Sequence, residues 1–191
     1  MARRAALFLG ACSLLLAAPL AAQGHAQTRE GFYATFGLGA GSAGVSCNGC
    51  ATDRESAASM YVNMGGTVRP NLLIGGEISG WTKSDQGVDE TISSLMAVAH
   101  YYPAAKQGFF LSGGLGYTMM KLDDGIDEVK SAGVGMQVGA GFDWRVANTF
   151  SLTPYAQYVR AFGAEAKVNG TSTGSNANPN VLQVGLGFTW H

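Results

Sequence analysis

The chain has 191 residues, of which 47% are hydrophobic and 13% are charged, and its formal net charge is −1 at pH 7. This near-neutral balance argues against the clustered basic surface that nucleic-acid binding requires, so we expect no nucleic-acid partner. The length suits one domain after removal of a leader. The 28 glycines favour strands and turns over amphipathic helices, because glycine is a poor helix former.

The N-terminus has the organisation of a secretory signal peptide. A short positive region precedes an apolar run over residues 5–22, and small residues suit cleavage after Ala22 or Ala26. We therefore predict a leader over residues 1–26 and one mature domain over residues 27–191. After the leader, no apolar stretch reaches the roughly 18 residues that indicate a helical membrane span.

Eight later segments alternate between apolar side chains and small or polar ones. Successive side chains of a strand point to opposite faces, so each segment predicts a strand with one apolar face. We expect that face to contact lipid. In chain order, the expected lipid-facing residues are Phe32, Ala34, Phe36, Leu38 and Ala40; Met60, Val62, Met64 and Val68; Leu72, Ile74, Gly76 and Ile78; Leu95, Ala97, Ala99 and Tyr101; Phe109, Leu111, Leu115, Tyr117 and Met119; Val134, Met136, Val138, Ala140, Phe142, Trp144 and Val146; Leu152, Pro154, Ala156 and Tyr158; and Leu182, Val184, Leu186, Phe188 and Trp190.

The sixth segment, residues 133–146, shows the alternation most clearly. It is longer than the usual strand of about five or six residues, and a transmembrane strand needs roughly 9 to 11. A soluble β-sandwich would place the apolar face inside, whereas here the opposite faces of Gly, Thr, Ser, Gln and Asn would make a poor soluble core. Backbone groups in lipid must be paired within the protein, so the sheet must close. The sequence therefore predicts an all-β fold, an eight-stranded antiparallel transmembrane β-barrel with up-and-down topology.

Two of the eight segments depart from a simple strand pattern. The fourth is apolar on both faces in its middle, and we prefer the register that places His100 inside, because a polar group is costly against lipid. The seventh contains Pro154, which cannot donate to a ladder, so we expect an irregularity near it.

The links between segments alternate in predicted length, as they do in membrane barrels with short turns on one side and longer loops on the other. The longer links are residues 42–57, 84–90, 122–130 and 163–179, and the shorter ones are residues 70–71, 103–108 and 147–149. With an even number of strands, both termini are expected on the side of the short turns. Aromatic residues that favour a membrane interface should ring that end; they are Phe32, Tyr101, Phe109, Trp144, Phe150, Phe188 and Trp190.

The predicted interior carries a small set of charges that need partners. We predict a lumen polar network of Arg69, Glu77, Asp143 and Arg145. Burying an isolated carboxylate is costly, and the turn after residue 69 brings Asn63 and Tyr61 close enough to partner Glu77. Inward glycines would make room for Tyr33, Tyr61 and Tyr155. A polar plug is the favoured interpretation, and a narrow polar pore through the same residues is the alternative.

Three other features bear on chemistry. Cys47 and Cys50 form a CxxC pair without enough further ligands for a metal site, so in an oxidising compartment we predict a disulfide between them; a reactive or metal-binding pair is the alternative. His100 has no serine within direct reach, because Ser93 and Ser94 lie several residues along the same strand, and no acid partner is evident. We therefore predict no catalytic residue, metal or cofactor.

Four stretches carry a family resemblance over nearly the whole mature chain. They are GFYATFGLG at residues 31–39, FLSGGLGY at 110–117, LTPY at 152–155 and the last strand. Through these motifs the chain resembles the small outer-membrane β-barrel superfamily of Gram-negative bacteria, which includes the OmpA-like barrel domain and its opacity and surface-antigen relatives.

The resemblance implies a location and a set of partners. It implies a monomeric barrel in the bacterial outer membrane with both termini periplasmic, contacting outer-membrane lipid and lipopolysaccharide. The role would be structural or one of surface interaction through external loops, without catalysis, and the alternative is a small passive pore. Members end in an alternating strand that the barrel assembly machinery reads. Here that C-terminal assembly signal is Leu182, Val184, Leu186, Phe188 and Trp190, and His191 after the last aromatic departs from the pattern.

Overall fold

A computed structural model describes residues 29–47 and 53–191. The predicted leader and Cys50 lie outside these ranges. Over the described residues no helix is long and apolar enough to cross a membrane. The strands are β1 (Phe32–Ser46), β2 (Glu55–Arg69), β3 (Leu72–Asp85), β4 (Val88–Tyr101), β5 (Phe109–Asp123), β6 (Glu128–Phe142), β7 (Trp144–Ala147), β8 (Phe150–Val168), β9 (Thr171–Asn176) and β10 (Asn178–Trp190).

These strands close into a barrel. Each of β1 to β5 pairs with the next strand in antiparallel register, β6 pairs with β8, and β10 pairs with both β8 and β1. β7 continues the line of β6 along β8, and β9 pairs with β8 just before β10. The described chain therefore forms eight antiparallel segments of the barrel wall, which we call staves, with β7 continuing β6 and β9 preceding β10. The prediction of an all-β, eight-stranded barrel is confirmed.

The predicted lipid-facing positions are also confirmed. Ile78 is 63% exposed, whereas the adjacent Glu77 is 1% exposed, as the two-residue period of a strand requires. His100 is buried and Tyr101 is exposed, so the register chosen for the fourth segment is correct. The apolar face points outward in every stave, which is the reverse of a soluble barrel.

The two ends of the barrel differ. We call the end where β1 begins and β10 finishes the terminal end, and the opposite end the hairpin end. The predicted aromatic ring lies around the outside of the terminal end, where Trp190 pairs with Phe150 and Phe109 pairs with Phe142. Most of its members are exposed on the outer face, as residues at a membrane interface should be.

The predicted irregularity near Pro154 falls on the neighbouring stave. β8 runs unbroken through Pro154, but the line of β6 and β7 is interrupted at Asp143. Gly141 pairs with Tyr155 and Trp144 pairs with Leu152, so the interruption lies opposite Pro154 and the residue before it. At this interruption the Asp143 amide leaves the ladder and donates to the Gly108 carbonyl at 2.9 Å.

The predicted short link at residues 70–71 is confirmed, whereas the predicted long links at residues 84–90 and 163–179 were wrong. β3 and β4 are joined by only Gln86 and Gly87, with φ of 49° and 84°, and β8 and β9 by Asn169 and Gly170, with φ of 48° and 83°. Such two-residue turns with positive φ are typical of tight hairpins. Beyond the apolar belt both faces of a strand meet water, so these extended hairpins have the polar composition that the sequence analysis assigned to loops.

Candidate functional site

The middle of the lumen is occupied by a carboxylate held by amide side chains. Asn63 Nδ2 donates to Glu77 Oε2 at 3.1 Å, and Gln137 Nε2 donates to Glu77 Oε1 at 2.9 Å. Gln157 Nε2 lies 3.3 Å from Glu77 Oε1 and 2.9 Å from Gln183 Oε1. We call these five residues the amide cluster. They come from five staves, β2, β3, β6, β8 and β10, so the cluster joins the walls across the lumen.

The register explains how the amide cluster assembles. Asn63 and Glu77 are direct cross-strand partners, as the turn at Pro70 and Asn71 led us to expect. Gln137 and Gln157 reach Glu77 from the far side of the barrel and were not predicted as its partners. All five side chains are buried, so the carboxylate exchanges water for amide donors. Among the described residues no cation pairs with Glu77.

A second polar group closes the terminal end. Tyr102 Oη donates to Asp143 Oδ2 at 2.8 Å, and Thr153 Oγ1 donates to Asp143 Oδ1 at 2.9 Å. Arg29 Nη2 lies 3.7 Å from Asp143 Oδ2, and the Arg29 guanidinium lies 3.6 Å above the Tyr102 ring centroid. We call Arg29, Tyr102, Asp143 and Thr153 the terminal cluster. Its charged pair is buried, and buried ion pairs hold only when their remaining groups are also bonded.

Arg29 is the residue that sequence analysis missed. Besides facing Asp143, it donates to the carbonyls of Ala105 and Gln107, each at 2.9 Å, and so fixes the connection between β4 and β5. A signal was present, because odd-numbered residues face inward in the first stave. Extending that parity back from Tyr33 places Arg29 on the inner side.

The predicted lumen polar network forms two separate groups in the structure, and Arg69 lies outside the lumen. Glu77 belongs to the amide cluster, whereas Asp143 and the buried Arg145 lie at the terminal end. Arg145 Nη1 donates to the Asn148 carbonyl at 3.0 Å. The placement of Arg69 inside was wrong: a register shift between residues 67 and 69 of β2 interrupts the alternation, and Arg69 is exposed.

His191 turns into the terminal end rather than extending beyond it. Its backbone amide donates to the Thr149 carbonyl at 2.9 Å, and its Nε2 lies 3.3 Å from Ser151 Oγ and 3.8 Å from Asp143 Oδ2. Burial, together with the Arg145 and Arg29 cations, lowers the pKa of the His191 imidazole to about 3. The ring is therefore neutral at pH 7, and its contact with Asp143 is not an ion pair there.

Aromatic rings fill the space between the two clusters. Tyr61 and Tyr155 meet edge to face with centroids 4.7 Å apart, and Tyr33 packs with Leu73, Tyr102 and Phe110. Glycines face the rings, as predicted. A Cβ on Gly37 would lie 2.1 Å from the Tyr61 ring, one on Gly75 would lie 2.5 Å from Tyr33 Oη, and one on Gly185 would lie 2.8 Å from Tyr155 Oη.

Little space remains between these layers. A cavity of about 10 Å³ lies among Tyr33, Tyr61, His100, Tyr102 and Asp143, which is room for about one water molecule. Toward the hairpin end the lumen is closed by an apolar layer of Ala43, Trp81, Ile92, Met120 and Val181. The arrangement fixes the walls to one another, and the described side chains fill most of the lumen within these layers.

The candidate chemistry of His100 does not assemble in the described residues. The ring stacks on Phe110 with centroids 4.9 Å apart and lies 5.9 Å from Tyr33. Ser112 is its cross-strand partner, but no hydrogen bond joins the two in the described part of the chain. A nucleophile and a base need such a bond.

The two remaining sequence features have different outcomes. Among residues 29–47 and 53–191, no group of three or more His, Cys, Asp or Glu side chains is placed to hold a metal ion. Cys47 is disulfide-bonded. Because Cys50 lies outside the described residues, the pairing of Cys47 with Cys50 stays a prediction.

The chain is similar to solved outer-membrane barrels. It matches neisserial surface protein A (NspA) with a TM-score of 0.62 at 17% identity, covering 83% of this chain and 96% of that one. It matches Ail, the attachment invasion locus protein of Yersinia pestis, with a TM-score of 0.52 at 14% identity, covering 84% of this chain and 99% of that one. It matches OprG of Pseudomonas aeruginosa with a TM-score of 0.50 at 15% identity, covering 86% of this chain and 99% of that one. At these identities the likeness shows the fold alone.

Sequence comparison supplies the family. No curated protein matches the chain in sequence. The model of the outer membrane protein beta-barrel domain matches residues 7–189, nearly the full length. The protein therefore belongs to the outer membrane protein beta-barrel family, whose place is the bacterial outer membrane.

Proposed function

We propose that this protein is a plugged, non-conducting and non-catalytic barrel with a structural or surface-interaction role, which presents its hairpin end outside the cell. The observation that carries the proposal is the filled lumen. The amide cluster, the aromatic layer and the terminal cluster lie one after another along the axis, and each is made of buried side chains from several staves. An eight-stranded barrel is narrow enough for its own side chains to fill it.

The hairpin end supports the surface role. The staves run 13 to 19 residues, beyond the roughly 9 to 11 that span a membrane. The excess forms charged hairpins, in which Lys83 lies 2.9 Å from Glu55 and Lys121 lies 3.0 Å from Glu128. These hairpins would stand in the headgroup and solvent region, where they would meet lipopolysaccharide and external ligands.

The last strand supports assembly by the barrel machinery. Leu182, Val184 and Phe188 all face outward on β10, which closes the barrel against β1. His191 folds inward, so the outward pattern ends at Trp190, as in relatives that finish on an aromatic residue. We propose that β10 is the strand read during assembly and that the folded barrel is a monomer.

Surface labelling in intact cells tests the orientation. An epitope inserted between Asn169 and Gly170, at the hairpin end, should be labelled by antibody without permeabilisation. The matched control places the same epitope between Pro70 and Asn71, at the terminal end, where labelling should require permeabilisation. The reverse pattern would refute the proposed orientation.

Solute uptake into proteoliposomes tests the plug. Vesicles containing the refolded protein should swell in arabinose no faster than empty vesicles. A variant in which Glu77, Gln137 and Gln157 are all replaced by glycine, and which still shows heat-modifiable gel mobility, should also swell no faster, because the aromatic layer, the terminal cluster and the apolar layer still close the lumen. Rapid swelling with the unmodified protein would favour the passive pore instead.

A further inference from the structure

The hairpin end opens into a cup whose wall is mostly apolar. A cavity of about 410 Å³ is lined by the apolar residues Val45, Met120, Leu122 and Val129 together with Glu55 and Glu90. An adjoining cavity of about 320 Å³ shares Glu55, Glu90 and Leu122 with it. Both volumes fall within the roughly 300 to 1,000 Å³ of small-molecule sites, which occur in the mouths of β-barrels. We call the two adjoining cavities the cup.

The cup has a closed apolar floor. Trp81, Ile92 and Met120 are each less than 5% exposed and form one packed cluster beneath it. The Trp81 indole nitrogen donates to the Gly41 carbonyl at 2.9 Å, so the polar atom of this ring is already satisfied by the wall. Below this floor lie the amide cluster and the aromatic layer. The cup is therefore a blind site, which this floor separates from the amide cluster and the aromatic layer.

The rim of the cup is acidic. The described lining residues of the two cavities include the carboxylates of Asp53, Glu55, Asp85 and Glu90 but only one ammonium group, that of Lys83. Lys83 is already engaged, because its Nζ lies 2.9 Å from Glu55 and 3.4 Å from Asp85. The rim thus carries more negative charge than its own cation offsets.

Glu90 is a rim carboxylate with which Lys83 forms no ion pair. It is the cross-strand partner of Lys83 on one side and of Leu122 on the other, so it lies where the charged rim meets the apolar wall. It is half-buried, and in the described part of the chain no hydrogen bond or ion pair holds its carboxylate. A partly desolvated carboxylate without a donor is costly, and a bound cation would offset that cost.

We propose that the cup binds a small amphiphilic cation, such as an aryl-alkyl ammonium. Its apolar body would pack on Met120, Leu122 and Val129, and its ammonium group would lie between Glu55 and Glu90. An anion would meet unpaired carboxylates at the rim, and a neutral apolar molecule would leave Glu90 without a partner. A divalent metal ion fits poorly, because the wall beside the carboxylates is apolar and the described residues contain no three-ligand group.

Titration of the intact barrel in phosphatidylcholine nanodiscs with 4-phenylbutylammonium tests this proposal. The ¹³C-methyl signal of Met120, assigned with Met120→Leu, should shift saturably. The neutral analogue 4-phenylbutanol and the anionic 4-phenylbutyrate have the same apolar body, and we expect each to bind at least about tenfold more weakly, as loss of one close charge pair predicts.

Paired variants locate the cation. Glu90→Gln keeps the shape of the side chain and should weaken 4-phenylbutylammonium about tenfold. Asp89→Asn removes the same charge one residue away on the outer face and should change the affinity by less than about twofold. Heat-modifiable gel mobility checks that both variants fold. Absence of a saturable Met120 shift, equal binding of the three probes, or equal effects of the two variants would each overturn the proposal.

Discussion

Glu77 and Gln137 meet across the lumen, with the amide nitrogen of one 2.9 Å from a carboxylate oxygen of the other. They belong to β3 and β6, which are not neighbours in the sheet. Their contact therefore crosses the barrel rather than running along its wall, and it makes the filling of the lumen a direct part of what holds the staves together.

Removal of the Glu77 carboxylate should destabilise the barrel. In Glu77→Ala, the amides of Asn63 and Gln137 lose their acceptor, and each unsatisfied buried donor costs about 1–3 kcal/mol. The urea concentration at half-unfolding, followed by gel mobility in detergent micelles, should fall. Ile78→Ala, on the adjacent outward position, is the control and should have a much smaller effect. Equal midpoints for Glu77→Ala and the unmodified protein would contradict this role.

Loss of the Arg29 side chain should be costly because it leaves Asp143 buried beside one fewer cation. Breaking a buried ion pair from one side typically costs about 3–5 kcal/mol, so Arg29→Ala should lower the unfolding midpoint strongly. In the double variant Arg29→Ala with Asp143→Asn, the uncompensated charge is gone, and part of the stability should return. A double-mutant cycle measures this coupling. Strict additivity of the two substitutions would show that Arg29 and Asp143 do not interact.

Two adjacent glycines of β3 should differ sharply in their tolerance of a methyl group. A Cβ on Gly75 would lie 2.4 Å from the Met64 carbonyl oxygen and 2.5 Å from Tyr33 Oη, whereas a Cβ on Gly76 would meet nothing within 4 Å. Gly75→Ala should therefore cost about 1–3 kcal/mol, as overpacking usually does, while Gly76→Ala should be nearly neutral. The two unfolding midpoints are compared directly, and a similar loss in both would mean that the inner face is not crowded there.

Acid should weaken the terminal end through His191. The folded-state pKa of His191, about 3, lies below its ordinary value of 6.5. Between these values the unfolded chain binds more protons, so stability falls as pH falls below about 6.5, by up to roughly 1.4 kcal/mol per pH unit. His191→Gln should lose this increment and unfold with a shallower pH dependence between pH 6.5 and 4. Identical pH profiles for the two proteins would contradict the buried placement of the ring.

The staves and their faces were predictable because the signal is local. The contrast between lipid and lumen repeats every second residue, so Leu95 and His100 could be placed on opposite faces from the sequence alone. The same reasoning anticipated that Asn63 partners Glu77, since the turn at residues 70–71 sets that register. Parity would also have placed Arg29 inward, had it been extended past Tyr33.

The contacts across the lumen, the side of Arg69 and the hairpin turns depended on information that the alternation of apolar and polar residues does not carry. Parity says that Gln137 and Gln157 face inward, but it does not say that they reach Glu77 from the far wall. The shift in register near Arg69 is a local departure from the period and reversed its predicted side. Residues 163–179 read as a loop because polar hairpins above the lipid belt have the composition of loops, although Asn169 and Gly170 form a known hairpin signal.

Single-channel recording in planar bilayers tests the central claim, that the lumen is plugged, most directly. The refolded, heat-modifiable protein should give no stable conductance steps, because four successive layers of buried side chains close the lumen. Stable steps from the unmodified protein that disappear in Gly37→Val, where the added side chain would press on the Tyr61 ring, would contradict the plug and establish a pore.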